Sequence, residues 1–150
     1  MTRITVRRRW SGGIGFLLCS ILCGCEPAPP GPAEVYLQYN QAVIDGLSFE
    51  QEHTFFSVHK QELVENSLQA MMQQMQKDRD SVIAVYMAFA KSVAKCRQLN
   101  LLSEEVNGRF AIVIFSQKEI CGSELTGDEK QIIHLIKEDG WKIDDIEIQI

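Results

Sequence analysis

The order of apolar and polar positions divides the chain into two textures. From Ala33 to about Lys95 the period is helical. In "AEVYLQYNQAVIDG", Val35, Tyr39, Ala42 and Val43 fall near the i, i+4, i+7, i+8 spacing of one helix face. Gly46 is placed to end that helix. Ser48 with Gln51 has the form of a capping box and opens a second helical stretch. This stretch carries Phe49, Phe55, Phe56, Leu63, Val64, Leu68, Met71, Met72 and Met75, and a break is expected near Ser57–Lys60. "DRDS" is a polar interruption. A third helix then presents Val82, Val85, Tyr86, Phe89 and Val93 on one face.

From Cys96 onward the period moves towards two. "RFAIVIFSQKEI" is rich in β-branched and aromatic residues. The Asn107-Gly108 dipeptide before it is a strong hairpin signal, because both residues tolerate positive φ. It predicts that Arg97–Val106 pairs antiparallel with Arg109–Ile120. "KQIIHLIKEDG" and "WKIDDIEIQI" form a second hairpin about Glu138–Gly140. In the last strand Trp141 and Ile143 share one parity, whereas Ile146, Ile148 and Ile150 share the other. A β-bulge at Asp144-Asp145 would keep both sets on one face. Helices first and antiparallel strands afterwards predict an α+β domain, with N-terminal helices packed on a curved sheet of about four strands.

The first residues follow a different logic. "RITVRRRW" is positive, and the fourteen residues of "SGGIGFLLCSILCG" are apolar. A helix of that length rises about 21 Å, short of the roughly 30 Å hydrocarbon core. A basic start, a short apolar core and small residues at its end are the marks of an export signal. A buried helix of the mature domain is the competing reading, and four arginines beside it would be hard to place in a core. Leu22-Cys23-Gly24-Cys25 resembles the lipobox of bacterial lipoproteins, with Cys23 less usual than Ala or Ser. By that resemblance residues 1–24 are a signal peptide cleaved between Gly24 and Cys25. Cys25 would then carry a covalent diacylglycerol and an acyl chain, and the membrane is the implied partner. Residues 25–32, with Pro27, Pro29, Pro30 and Pro32, would be an extended tether of roughly 20 Å at about 3.1 Å per residue. Glu26 follows the cysteine where an Asp would favour inner-membrane retention. The resemblance therefore implies the outer membrane, facing the periplasm.

The order of elements over residues 33–150 resembles the cystatin-like α+β domain of the NTF2-like superfamily. More narrowly, it is similar to small bacterial lipoproteins of unknown function that carry such a domain. "PAEVYLQYNQAVIDGLSFEQEHTFF" and "HLIKEDGWKIDDIEI" carry the likeness. Members bend the sheet into a cone whose mouth is often a pocket. The resemblance implies either a non-enzymatic accessory or binding domain for a small apolar ligand or an envelope protein, or a pocket enzyme using His134 with an acidic partner such as Asp144 or Asp145.

Composition narrows these options. One hundred and fifty residues with 45% apolar content fit one globular domain. Of the 15 Lys and Arg, four precede Cys25, which leaves 11 against 20 Asp and Glu, a net charge of −9. An acidic body lacks the basic face that nucleic acid requires. His53 and His59 are six apart, not the four of a helical zinc pair, and are expected on solvated helix surface with no metal. Met71, Met72 and Met75 are expected to form a stripe on the sheet. The acids of "SEE" and "KEDGWKIDD" are expected in solvated loops. No phosphate loop, serine elbow or CxxC pair occurs, so no catalytic residue is assigned.

Once the signal is removed and Cys25 acylated, Cys96 and Cys121 are the remaining thiols. Export to an oxidising compartment favours joining them. The Asn107-Gly108 turn would set Val106 opposite Arg109, and Cys96 opposite Glu119. Cys121 would then lie on a diagonal of about 7–8 Å, long for a bridge without local twist or a bulge. Two buried, reduced cysteines are the alternative.

Overall fold

The computed structural model describes residues 28–122 and 129–150. Gly24, Cys25 and the basic, apolar start lie outside the described residues. Four helices precede four strands: α1 (Pro32–Asp45), α2 (Phe49–His53), α3 (Val58–Met75), α4 (Arg79–Lys95), β1 (Arg97–Asn107), β2 (Phe110–Glu119), β3 (Glu129–Lys137) and β4 (Trp141–Gln149). The strands form one open antiparallel sheet in the order β1-β2-β3-β4. The fold is α+β. Among the described residues no helix is long and apolar enough to cross a membrane.

Local chemistry explains where the helices start and stop. α1 begins at Pro32, one residue before the expected domain boundary, because proline at the first helical position loses no needed N–H. Gly31 offers no side-chain cap. Glu104 of β1 supplies one instead, accepting from the Ala33 N–H at 3.1 Å. α1 ends at Gly46, whose φ of 97° suits a residue without Cβ. A Cβ there would also lie 2.7 Å from Lys91 Nζ. The Ser48–Gln51 capping box forms with both of its bonds. The break between α2 and α3 comes earlier than expected, at Thr54–Ser57, because Ser57 caps α3 by accepting from the Lys60 N–H. Asp78 caps α4 in the same way through the Ser81 N–H.

The first hairpin differs from the sequence reading in detail, and the second keeps its expected turn at Glu138–Gly140. Asn107 pairs with Phe110, so the turn residues are Gly108 and Arg109 rather than Asn107 and Gly108. Gly108 has φ 60° while Arg109 stays negative, the requirement of a turn with glycine first. The displaced turn moves the register by two positions and a bulge between Leu101 and Ser103 takes one back, so Arg97, not Cys96, faces Glu119. In β4 the expected bulge is present: Asp145 pairs with His134 and Ile143 with Leu135, leaving Asp144 as the extra residue. Ile143 and Ile146 therefore share the covered face. Beyond β4, Phe56 adds a short parallel bridge at Ile143. The Ile143 N–H donates to Phe55 O at 2.8 Å, and the Ser57 N–H to Ile143 O at 2.9 Å.

The main core lies between α1 and one sheet face: Val35, Tyr36, Val113, Phe115, Ile133 and Ile143 are among its buried members. Burying each large side chain contributes about 1.5–3 kcal/mol before conformational entropy is set against it. A second cluster joins Phe49, Leu68 and Val82. Met71 and Met72 pack there, between helices, and not on the sheet as expected. Met75 is exposed. On α4, Val82 is buried, but Val85 and Phe89 are exposed, because α4 packs mainly against α1 and α3. Arg79 of α4 ties back to Glu65 of α3 through two bonds of 2.8 and 2.7 Å.

Candidate functional site

A cavity of about 220 Å³ opens between α1, α4 and the covered face of the sheet. Its walls are apolar: Val43 from α1, Phe89, Ala90, Val93 and Ala94 from α4, and Ile146 from β4. Phe89 is 68% exposed and marks the open side. Polar groups enter from Tyr36, Tyr39, Asn40, Tyr86, Gln131 and Arg97.

The helical period determines which of these meet. Tyr36 is buried among core residues and its hydroxyl donates to Gln131 Oε1 at 2.6 Å. Gln131 Nε2 donates on to Gln117 Oε1, and Gln117 Nε2 to Glu129 Oε2. This polar line across the buried sheet face satisfies groups that would otherwise be costly to bury. Tyr39 and Tyr86 converge from α1 and α4 on Glu52 of α2. Both hydroxyls donate to Glu52 Oε1, at 3.0 and 3.1 Å. Glu52 is fully buried, and its Oε2 has no partner among the described residues. Burial raises the Glu52 carboxyl above the usual carboxylate range, against the two tyrosine hydrogen bonds. Burial likewise raises both tyrosines, and the nearby Glu52 charge adds to it.

The sequence reading missed Tyr36 and Glu52. Tyr36 sits one position off the expected face. Glu52 sits in a short polar run, "FEQEH", that reads as surface. One signal was available: an acid at i+3 from the buried Phe49 lies on the same helix face.

His53 is not solvated surface as expected. Its ring lies 4.4 Å from that of Phe49, and its buried Nε2 has no partner among the described residues. Phe49 is buried on one side of α2, and the five-residue helix carries His53 against it. His59 falls in a different helix, α3, and is exposed, with Nδ1 3.4 Å from Asp144.

A second groove, of about 420 Å³, runs between α3 and the sheet and includes His59, Leu63, Phe110, His134, Asp145 and Glu147. Although His134 faces Asp145 across the ladder, among the described residues its side chain bonds neither Asp144 nor Asp145. Its Nε2 lies 3.1 Å from Glu147 Oε1, and both side chains are exposed. The acids at the bulge are committed elsewhere, not simply solvated. Asp144 accepts from the Ser57 hydroxyl at 2.6 Å, and Asp145 from Lys60 Nζ at 3.1 Å. The Lys60 bond holds Asp145 below the usual carboxylate range. Ser103-Glu104-Glu105 lies within β1 rather than in a loop, and Glu104 caps α1 as described.

Cys96 ends α4 and Cys121 follows β2. Their Cα atoms are 5.0 Å apart and the sulfurs are at bonding distance, 2.08 Å. The expected diagonal is replaced by a closer approach, because the displaced turn and the bulge in β1 together set Cys96 opposite Ile120, whose N–H donates to Cys96 O. Among the described residues, Cys96, Glu119 and Cys121 are also the cluster with metal-ligand spacing. Two sulfurs joined to each other leave a single carboxylate there.

No protein-family model, curated protein or solved structure matches the chain.

Proposed function

We propose that the protein is a bacterial envelope lipoprotein whose α+β domain, of the NTF2-like, cystatin-like type, binds a small apolar ligand without chemical turnover. In this reading Cys25 bears the diacylglycerol and acyl chain, and residues 25–31 form the tether. The domain then stands off the outer membrane in the periplasm. The basic start, the short apolar run and Leu22-Cys23-Gly24-Cys25 support the anchor. The observation that carries the binding role is the cavity between α1, α4 and the sheet, apolar in its walls and polar at a few fixed points. A pocket enzyme built on His134 would need a buried base with an oriented partner. His134 and Glu147 are both exposed, which supports binding over catalysis.

Two measurements on the full chain test the two halves. Radiolabelled palmitate should enter the wild type and not Cys25→Ala; label in the variant removes the anchor from Cys25. Gently purified wild type should release a small apolar molecule on solvent extraction, and Ala90→Trp, which fills the cavity, should release none. Equal recovery from both, with equal thermal midpoints, refutes the cavity as the binding site.

A further inference from the structure

Arg97 is the one charged residue that lines the cavity. It opens β1 directly after the Cys96 bridge, and it is half-buried. Among the described residues no carboxylate lies within ion-pair distance of it. This is notable in a chain with more acids than bases. Glu119, its neighbour across the ladder, turns its Oε1 to the Cys121 N–H at 2.9 Å. The Arg97 charge reaches into the cavity: it favours the ionised Tyr36 hydroxyl, against the larger opposing effect of burial. Asn40 of α1 also lines the cavity.

We infer that the ligand is a short amphiphilic anion, its apolar chain among Val43, Ala90, Val93 and Ile146 and its charged head on Arg97 with Asn40 beside it. The inference rests on the binding role proposed above and names the ligand class. Size fixes the length. About 220 Å³ equals roughly seven waters at about 30 Å³ each. That lies below the about 300–1,000 Å³ of sites for drug-sized molecules. A short chain fits, and a long acyl chain or a sterol does not. The planar guanidinium suits a carboxylate or a phosphate head, to which it can donate two parallel bonds.

The test uses the full chain in phosphatidylcholine nanodiscs, with empty discs as the blank. Hexanoate, hexyl phosphate, hexan-1-ol and hexylamine are titrated and binding is followed by heat. Wild type should bind one or both anions about tenfold or more tighter than the alcohol and the amine, the scale of one charge-assisted pair. The order of the two anions tells a carboxylate head from a phosphate head. Arg97→Gln should lose the preference for anions while still binding hexan-1-ol. Arg97→Lys, which keeps the charge but not the fork, should retain part of it. Ala90→Trp should lose all four ligands. Equal affinity for anion, alcohol and amine, all abolished by Ala90→Trp, overturns the anionic head and leaves the cavity reading standing. Binding of none of the four overturns both.

Discussion

Glu52 shows how one side chain can tie three helices and still carry a cost. It joins α2 to Tyr39 of α1 and Tyr86 of α4 through one oxygen, and leaves the other without a partner. Because burial raises its folded-state pKa, its contribution to stability is complete below the unfolded value and is lost as pH rises through the folded value. Glu52→Gln removes that titration. The difference in unfolding free energy between wild type and Glu52→Gln should therefore fall as pH rises from about 4 to 8. Glu65, Asp78 and Asp145 are lowered instead and favour the opposite slope, but they are common to both proteins and cancel. Parallel pH profiles from urea titrations would disprove the assignment. Glu52→Ala strands both tyrosine hydroxyls and should cost more, about 2–5 kcal/mol for two unmet buried groups and the space left.

At the level of elements, the bulge in β4 is a parity device. Asp144 is the residue that lets Ile143 and Ile146 share the covered face. Deleting Asp144 should therefore be tolerated: Ile143 and Ile146 become two residues apart and stay on one face of a regular strand without a bulge. Asp144→Ala keeps the count and removes the Ser57 bond and the exposed His59 contact, so it should cost about 1 kcal/mol. A deletion far more costly than the substitution, in denaturant midpoints, would show that the bulge does more than keep parity. This bulge was legible in the sequence because a shift of parity in a run of isoleucines has few other causes. The helix caps at Ser48 and Gly46 were legible for the same local reason. The bulge at Leu101–Ser103 was not, since β1 is mostly exposed and carries no clean alternation to betray a slip. Glu52 and the Glu104 cap were hidden for a further reason. A carboxylate's burial or reach across the fold depends on tertiary neighbours, not on its place in a run.

On the scale of the whole molecule, the Cys96–Cys121 pair closes a loop with a sequence separation of 25 and fastens the end of α4 to the end of β2. On the chain-entropy account such a loop is worth roughly 3–4 kcal/mol. Mature protein alkylated without reductant should show neither thiol modified, and Cys96→Ala with Cys121→Ala should lower the denaturant midpoint by the corresponding amount. Two alkylated thiols would contradict the bridge. The cavity walls thus differ in how they are held. α4 is bolted to the sheet by a covalent link, whereas the start of α1 is held by the Glu104 bond and by packing. Any tension carried along the chain ahead of Pro32 enters the fold through α1. In the proposed lipoprotein a load on the anchor would therefore reach the wall held by packing, against one held by a covalent link, and would act first to widen the cavity.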